Sequence, residues 1–277
     1  MSKATETAVT AKPGWQMPSL EDLKARFTVL IIPILLITGW QVSSLLGIFH
    51  PSVLPSPLKV WQALERITAD GTLQTDLAIS ATRVLRGYFW GMTTALVIGV
   101  LSGLSKFIER LVGTVVDAVR QIPTFAWIPL IVLWFGIGEL SKNVIIGKAV
   151  FIPIFINTLQ GIRGVSADHV EVARVLELSH FKFLFKVVIP SALPSIFTGL
   201  RLAAGHSWMA VVGAEMIGGG LSGLGYALTK AKDFLLSDEL IGLMFVIGLV
   251  GLAVDRILKR VETVALRWRK SFSGSGK

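Results

Sequence analysis

The chain has 277 residues, of which 52% are hydrophobic and only 16% charged, whereas a soluble domain carries about 25% charged residues. It contains no cysteine, which excludes disulfides and cysteine-ligated metals, and its four histidines are too scattered to indicate a metal site. The net charge of +9 does not indicate nucleic-acid binding, because the basic residues separate apolar runs and form no patch interleaved with aromatic residues.

Six stretches of the chain are apolar enough to suggest membrane-spanning helices, which need roughly 20 mostly apolar residues each. They cover residues 27–47, 89–105 inside a helix from about 78, 121–138, 144–162, 192–217 and 240–254. The third contains Pro123 and Pro129, which neighbouring helices can accommodate. We therefore predict an all-α integral membrane protein with about six transmembrane helices in one domain, 27–258, between an N-terminal tail, 1–26, and a basic C-terminal tail, 259–277.

The distribution of basic residues predicts the orientation of these spans. Most of the 27 Lys and Arg residues fall on one side if both termini are cytoplasmic, as the positive-inside rule requires. Between the first two spans, residues 58–67 have apolar residues at helical spacing, which suits either a helix on the membrane surface or a plain solvated connector.

Glycines mark two other segments. Gly87 and Gly91, and then Gly99 and Gly103, are spaced to let helices pack closely in lipid. The run at 218–220, followed by Gly223 and Gly225, favours a flexible turn or an outer gate element.

A polar segment, residues 164–189, separates the fourth and fifth spans. Asp168 and Glu171 form a D-x-x-E arrangement typical of a helix start, with Asp168 as the cap. The helix that follows would be amphipathic and must bury its apolar side. Periodicity alone leaves open whether that side packs on the protein's own bundle or on another protein.

The amino-acid sequence of this segment resembles a known signature. The run E-V-A-R-V-L-E from Glu171 to Glu177, followed by V-V-I-P-S-A-L-P-S over 187–195, is similar to the E-A-A…G…I-x-L-P signature of ABC importer permeases. Stretches such as I-P-L at 128–130 and W-F-G-I-G-E at 134–139 extend the likeness from about residue 30 to 265. The chain most resembles the nitrate, sulfonate and taurine branch, and aliphatic sulfonate permeases above all.

The resemblance implies a type I ABC importer permease of the bacterial cytoplasmic membrane. Two copies of the chain would form the pathway, two ATP-binding cassette subunits would bind ATP and Mg, and an extracytoplasmic protein would deliver a small anion such as an aliphatic sulfonate or taurine. The coupling helix, at about 168–180, would dock on the ATPase. Its docking residues would be Asp168, Glu171, Ala173, Arg174, Glu177 and Pro190.

Glu177 stands where this family usually has glycine, and we expect the helix to continue through it. The chain itself is not expected to be an enzyme. The one Gly-Lys pair, Gly147-Lys148, lacks the other residues of a phosphate-binding loop, and no nucleophile, base and orienting group converge. The alternative function, an ATP-independent transporter or channel, would require mid-membrane carboxylates or inverted repeats, and neither is evident.

Ionisable residues inside spans are costly and therefore suggest function. Lys148 is expected near the outer end of the fourth span, where it either snorkels to the interface or attracts an anion. Arg201 is expected to act as a structural tether and His206 to be buried and hydrogen-bonded. Glu215 is a gate candidate, and since it lies too far from Arg201 along the helix to pair with it, each needs another partner.

Overall fold

The computed structural model describes residues 20–266 of the backbone and the side chains of residues 31–266. This part of the chain is helical and contains no strand. It divides into two compact units, with the boundary between residues 58 and 59. The α-helices are α1 (Leu20–Leu45), α2 (Pro57–Ala69), α3 (Thr72–Leu104), α4 (Lys106–Arg120), α5 (Ile128–Phe135), α6 (Glu139–Arg163), α7 (Ala167–Val175), α8 (His180–Phe183), α9 (Ile189–Ile217), α10 (Leu224–Asp233) and α11 (Ser237–Ala265).

The centre of the second unit is the contact between α3 and α6, and glycines make it close. A Cβ atom at Gly87 would lie 2.6 Å from Ile146, and one at Gly91 would lie 2.6 Å from the carbonyl oxygen of Gly147. Gly99 and Gly103 similarly face the later α6 residues Thr158 and Ile162. These contacts confirm the predicted glycine packing, and because both sets of numbers rise together, α3 and α6 run parallel.

Helices α9 and α11 complete the bundle in alternating directions. Gly161, near the end of α6, faces Ala192 and Ser195 at the start of α9, so these two helices are antiparallel. The indole N–H of Trp208 on α9 donates to the carbonyl of Ile247 on α11 over 3.0 Å. Each contact buries small or apolar side chains, as helix packing in lipid requires.

The predicted third span, 121–138, is wrong as a continuous helix. The chain instead follows α4 with a 3₁₀ turn, Thr124–Trp127, and α5, and the two halves meet at an angle of 97°. Pro123 lies at the break, where it cannot donate the hydrogen bond that would continue α4. Because α3 ends and parallel α6 begins at opposite ends of the bundle, residues 105–138 cross it as a broken span.

The described residues therefore supply four helices long and apolar enough to cross a membrane, namely α3, α6, α9 preceded by α8, and α11, and the broken span is a fifth. The first predicted span falls in α1, of which Ile31–Leu45 is a shorter apolar stretch. Helix α11 continues past residue 258 to Ala265, so the predicted C-terminal tail begins within a helix. Residues 1–19 and 267–277, which include most of both predicted tails, lie outside the described residues.

The bundle has two distinct ends. We call one the α7 end, where α3 and α6 finish and α9 begins. The other is the glycine-loop end, where α3 and α6 begin, α9 finishes and residues 218–223 form the glycine loop. Helix α2 packs at this second end, since Leu64 lies against Gly242 of α11 and Arg66 pairs with Asp238 over 2.9 Å.

Candidate functional site

Glu215 forms the centre of a buried ionic cluster at the glycine-loop end. Its side chain is fully buried, and its carboxylate accepts hydrogen bonds from Arg83 Nη1 over 2.7 Å and from Ser80 Oγ over 2.8 Å. The backbone N–H of Gly225 donates to the same carboxylate over 2.9 Å. A buried charge is stable only when paired and hydrogen-bonded in this way.

Arg83 extends the cluster to α6. Its Nε lies 2.9 Å from one oxygen of Glu139 and its Nη2 lies 2.5 Å from the other, and the guanidinium also donates to the carbonyl of Ser222 over 2.8 Å. The buried ammonium of Lys142 lies 3.5 Å from Glu139. We call Ser80, Arg83, Glu139, Lys142 and Glu215 the ionic cluster, in which two cations balance two carboxylates.

The glycine loop is fastened over this cluster. The N–H of Gly223 donates to Asp76 over 2.8 Å, and that of Leu224 donates to Ser80 Oγ over 3.0 Å. Gly223 has φ +104°, and a Cβ at this position would overlap the Glu215 carboxylate. Only glycine suits such a backbone conformation at such close range, so the loop is held in place by the cluster beneath it.

A cavity of about 650 Å³ lies midway along the bundle, beside the break between α4 and α5. Lys148 and Asn157 of α6 and His206 of α9 line it together with Arg120. Lys148 Nζ lies 5.1 Å from the ring centroid of Trp127 and has no hydrogen-bond partner among the described residues, although it is buried.

Two pathway candidates differ from expectation. Lys148 lies nine residues into α6, about 14 Å from its start at ~1.5 Å per residue, so the predicted position near the outer end is wrong and the ammonium does not snorkel. His206 is exposed to the cavity rather than buried, with Nδ1 2.7 Å from the carbonyl of Leu202. A cavity-facing position was not visible in the sequence because the break that opens the cavity was read as a straight helix.

Arg201 lies away from this cavity. It pairs with Asp255 over 3.1 Å and with Glu262 over 3.4 Å, both on α11. The structure therefore brings Lys148 and His206 to one cavity and places Arg201 and Glu215 in two separate ion-pair groups. The sequence did not show that Arg83 pairs with Glu215 or that Glu139 pairs with Arg83, because these residues lie on helices far apart in sequence. Only the cost of charged residues near span ends could have indicated these positions.

Helix α7 lies between α6 and α9 and is shorter than the predicted coupling helix. Ser166 caps it, with Oγ accepting from the N–H of His169 over 3.4 Å. The prediction that Asp168 is the cap is wrong, because the helix already begins at Ala167. Asp168 instead lies in the first turn, where its negative charge stabilises the helix by interacting with the positive end of the helix dipole.

Glu177 ends the helix instead of continuing it, so the predicted continuation is wrong. Its φ is +48°, its N–H donates to the carbonyl of Arg174, and the N–H of Leu178 donates to that of Ala173 over 3.1 Å. These two bonds define a Schellman motif with Glu177 at the position that glycine usually fills. The backbone thus keeps the glycine conformation although the residue is different.

The surface of α7 is largely uncovered. Asp168, Glu171, Arg174 and Glu177 are exposed, and Ala173 alone on this helix is buried. Large apolar side chains nearby are exposed as well, from 57% for Val172 to 82% for Val175, and they include Leu176, Phe181 and Phe185. Pro190, half-buried, is the second residue of α9 and follows a π-helical turn at Leu184–Val188.

Comparison with known proteins identifies the family. Residues 95–264 match the model of the binding-protein-dependent transport system inner membrane component. The chain is 37% identical to the putative aliphatic sulfonates transport permease protein SsuC of Bacillus subtilis, over 99% of this chain and 97% of that one. It is 30% identical to the taurine transport system permease protein TauC of Escherichia coli, over 92% and 93%.

Solved structures give the same fold. The inward-facing MetNI methionine ABC transporter matches with a TM-score of 0.53 at 20% identity, over 66% of this chain and 92% of that one. With the arrangement of the helices and the family match in agreement, the chain belongs to the ABC importer permeases, as a multi-pass inner-membrane subunit without an ATPase site of its own.

Proposed function

We propose that two copies of this chain form the pathway of an ATP-driven importer for a small anion, an aliphatic sulfonate or taurine. Two ATP-binding cassette subunits dock at the α7 end and bind ATP and Mg, and an extracytoplasmic binding protein docks at the opposite end. The observation that carries this proposal is the uncovered apolar surface around α7.

That surface centres on α7, which lies outside the helices long and apolar enough to cross a membrane. Val175 and Leu176 are 82% and 64% exposed, and Asp168, Glu171, Arg174 and Glu177 provide charges around them. Exposed apolar patches with a polar rim are typical of protein interfaces. The interpretation of α7 as a helix packed on its own bundle fails to explain why Val172, Val175 and Leu176 stay uncovered.

The charges of the central cavity support an anionic substrate. Among the described residues that line it, Arg120, Lys148 and His206 can carry positive charge and no carboxylate is present. Asp117 pairs with Arg120 over 3.0 Å, whereas Lys148 has no counter-charge in the part of the chain that the structure describes. The names of the relatives agree, since they include permeases for sulfonates, taurine, bicarbonate and nitrate.

Reconstitution tests the function directly. The permease is co-purified with its cognate ATPase, inserted into proteoliposomes with the cognate binding protein, and supplied with radiolabelled ethanesulfonate or taurine. We expect uptake that requires ATP and stops when the phosphate-binding lysine of the ATPase is replaced. Uptake by the permease alone, driven by an ion gradient, would contradict the proposal.

We further propose that both termini and the α7 end face the cytoplasm. The chain has no cysteine, so single cysteines can report sidedness. Asp70→Cys, at the glycine-loop end, should react with a membrane-impermeant maleimide from outside the cytoplasmic membrane, whereas Lys182→Cys, near α7, should react only after permeabilisation. The reverse pattern would show that the orientation is wrong.

A further inference from the structure

We propose that Lys148 and Trp127 form an anion-binding site at the central cavity, one that holds the charged head of the substrate midway across the membrane. The inference rests on the proposed function and gives that pathway a specific site. It starts from two donors that the protein leaves unused: the ammonium of Lys148 and the indole N–H of Trp127 are both buried without a hydrogen-bond partner among the described residues.

The side chains of Lys148 and Trp127 are neighbours. Lys148 Nζ is 5.1 Å from the centroid of the Trp127 ring, so the indole attracts the cation but supplies no negative charge. A buried cation without a counter-charge is costly inside a membrane. An anion that enters the cavity beside Lys148 would supply that counter-charge, and the indole N–H of the neighbouring Trp127 is a second unused donor.

Other groups around the cavity agree with an anion and not with a cation. Arg120 and His206 line the same space, and within the described part of the chain the only carboxylate paired to either is Asp117, on Arg120. Lys148 also borders a second cavity of about 510 Å³, where the Oδ1 atom of Asn143 is buried without a partner from the described residues. A water could bridge Asn143 and Lys148, but it would leave the positive charge unbalanced.

The remaining lining fits a short alkyl chain. Ile152, Ile156 and Leu202 supply apolar side chains to the wall of the cavity, and ligand sites in general combine an apolar wall with a few polar groups that fix orientation. The ligand class is therefore a compact monovalent oxyanion, such as a sulfonate, with a small apolar tail.

Thiol chemistry can test the site without relying on transport. In Ile152→Cys, a single cysteine stands one helical turn from Lys148 on the same face of α6. Its reaction rates are compared for two reagents of similar size and opposite charge, the anionic 2-sulfonatoethyl and the cationic 2-(trimethylammonium)ethyl methanethiosulfonate, in the complete complex in nanodiscs. Adding Lys148→Met should lower the anionic-to-cationic rate ratio by at least about tenfold, since a charge within a few ångströms in a poorly screened site has an effect of that order.

Two further variants, each made in the Ile152→Cys background, test the indole N–H of Trp127 and the effect of removing a cation elsewhere. Trp127→Phe keeps an aromatic ring beneath Lys148 but removes the N–H donor. Bound ethanesulfonate should protect the introduced thiol from the neutral reagent methyl methanethiosulfonate. In Trp127→Phe, the ethanesulfonate concentration needed for this protection should rise by about tenfold, the usual effect of losing one hydrogen bond to a charged group. Lys230→Met, which removes an exposed cation on α10, is the matched control and should leave both readouts unchanged.

The results separate this site from the proposed function. If Lys148→Met leaves the rate ratio unchanged while the parent protein imports ethanesulfonate with ATP, the site is wrong and the function stands. If Lys148→Met fails to fold, Trp127→Phe decides, and unaltered ethanesulfonate protection in that variant overturns the site. Loss of protection in Trp127→Phe with ATP-dependent uptake in the parent would support both proposals.

Discussion

The two ends of the bundle differ in whether their charged side chains are buried and paired. At the glycine-loop end, the side chains of Arg83 and Glu215 are 5% and 0% exposed and each is fully paired. At the α7 end, Glu171 and Arg174 are exposed with no ion pair among the described residues, and Val175 is 82% exposed.

This difference shows at which end the contacts within one chain satisfy the polar groups and at which end another protein is needed. The ionic cluster brings α3, α6, α9 and the glycine loop together through contacts that need no other molecule. The α7 surface instead presents charges and apolar area that become buried only when another surface covers them. Intrachain changes should therefore affect stability most at the first end and assembly most at the second.

The largest effect on stability is expected from Glu215→Leu. The substitution leaves Arg83 with Glu139 as its remaining carboxylate partner and strips the Gly225 N–H and Ser80 of their acceptor. Removing one partner of a buried ion pair typically costs about 3–5 kcal/mol. The thermal unfolding midpoint and the yield of the detergent-solubilised permease measure the loss.

Glu262→Gln provides the comparison for that prediction. Glu262 pairs with Arg201, whose side chain is 40% exposed, and exposed pairs contribute little to stability. We expect a nearly unchanged midpoint. Equal losses in the two variants would show that burial does not set the strength of these pairs.

At the α7 end, Val175→Asp should disrupt assembly without unfolding the permease. Because Val175 touches little of its own chain, a charge there costs nothing in the free subunit, but it would lose its hydration when the ATPase covers it. Co-purified ATPase should fall by at least about tenfold at an unchanged unfolding midpoint. Phe234→Asp, at the opposite end and 70% exposed, is the matched control; it should retain full co-purification.

A smaller loss of stability is expected from Gly223→Ala. Its φ of +104° and its contact with the Glu215 carboxylate both exclude a Cβ, and forcing a residue into such backbone costs on the order of 1–3 kcal/mol. Gly113→Ala is the control, because Gly113 lies in helix α4 and has a negative φ. It should not lower the stability of the permease as Gly223→Ala does. A Gly223→Ala variant as stable as the parent would indicate that the loop does not depend on the cluster.

Much of the fold could be predicted from the sequence because spans in lipid follow length and apolarity. The spans corresponding to α3, α6, α9 and α11 were found for this reason, and Gly87 and Gly91 indicated the close α3–α6 contact. The broken span was not found, since a proline in an apolar run is compatible with a kinked span as well as with a break. Only the parallel arrangement of α3 and α6 shows that the chain must cross there.

The site was less predictable because it depends on contacts between distant residues. Glu215 was singled out by its charge within a span, but its partner Arg83 lies 132 residues away, and nothing in the local sequence indicates that the two pair. Lys148 was placed at the wrong depth because its helix starts earlier than the apolar run suggests. Local rules also misplaced the start of α7, where both Ser166 and Asp168 can cap a helix and the chain uses the first.

The smallest predicted effect, and the one that connects stability to docking, is that of Glu177→Gly. A non-glycine residue in the left-handed conformation costs about 1–2 kcal/mol, so glycine at φ +48° should tighten the end of α7. Slower hydrogen exchange of the amides of residues 177 and 178, which donate to Arg174 and Ala173, would measure this.

The carboxylate of Glu177 can have a role of its own, and Glu177→Ala separates it from the backbone effect. Alanine lacks the carboxylate but keeps the strain, whereas glycine lacks both. If Glu177 pairs with a basic residue of the ATPase, both variants should lose co-purified ATPase to a similar extent, by a few-fold, as one exposed ion pair allows, while exchange slows only in Glu177→Gly. If the backbone alone matters, Glu177→Gly should bind the ATPase at least as well as the parent and Glu177→Ala should differ little from it. Faster amide exchange in Glu177→Gly would contradict the assignment of a strained Schellman position and, with it, the explanation of why this helix ends where it does.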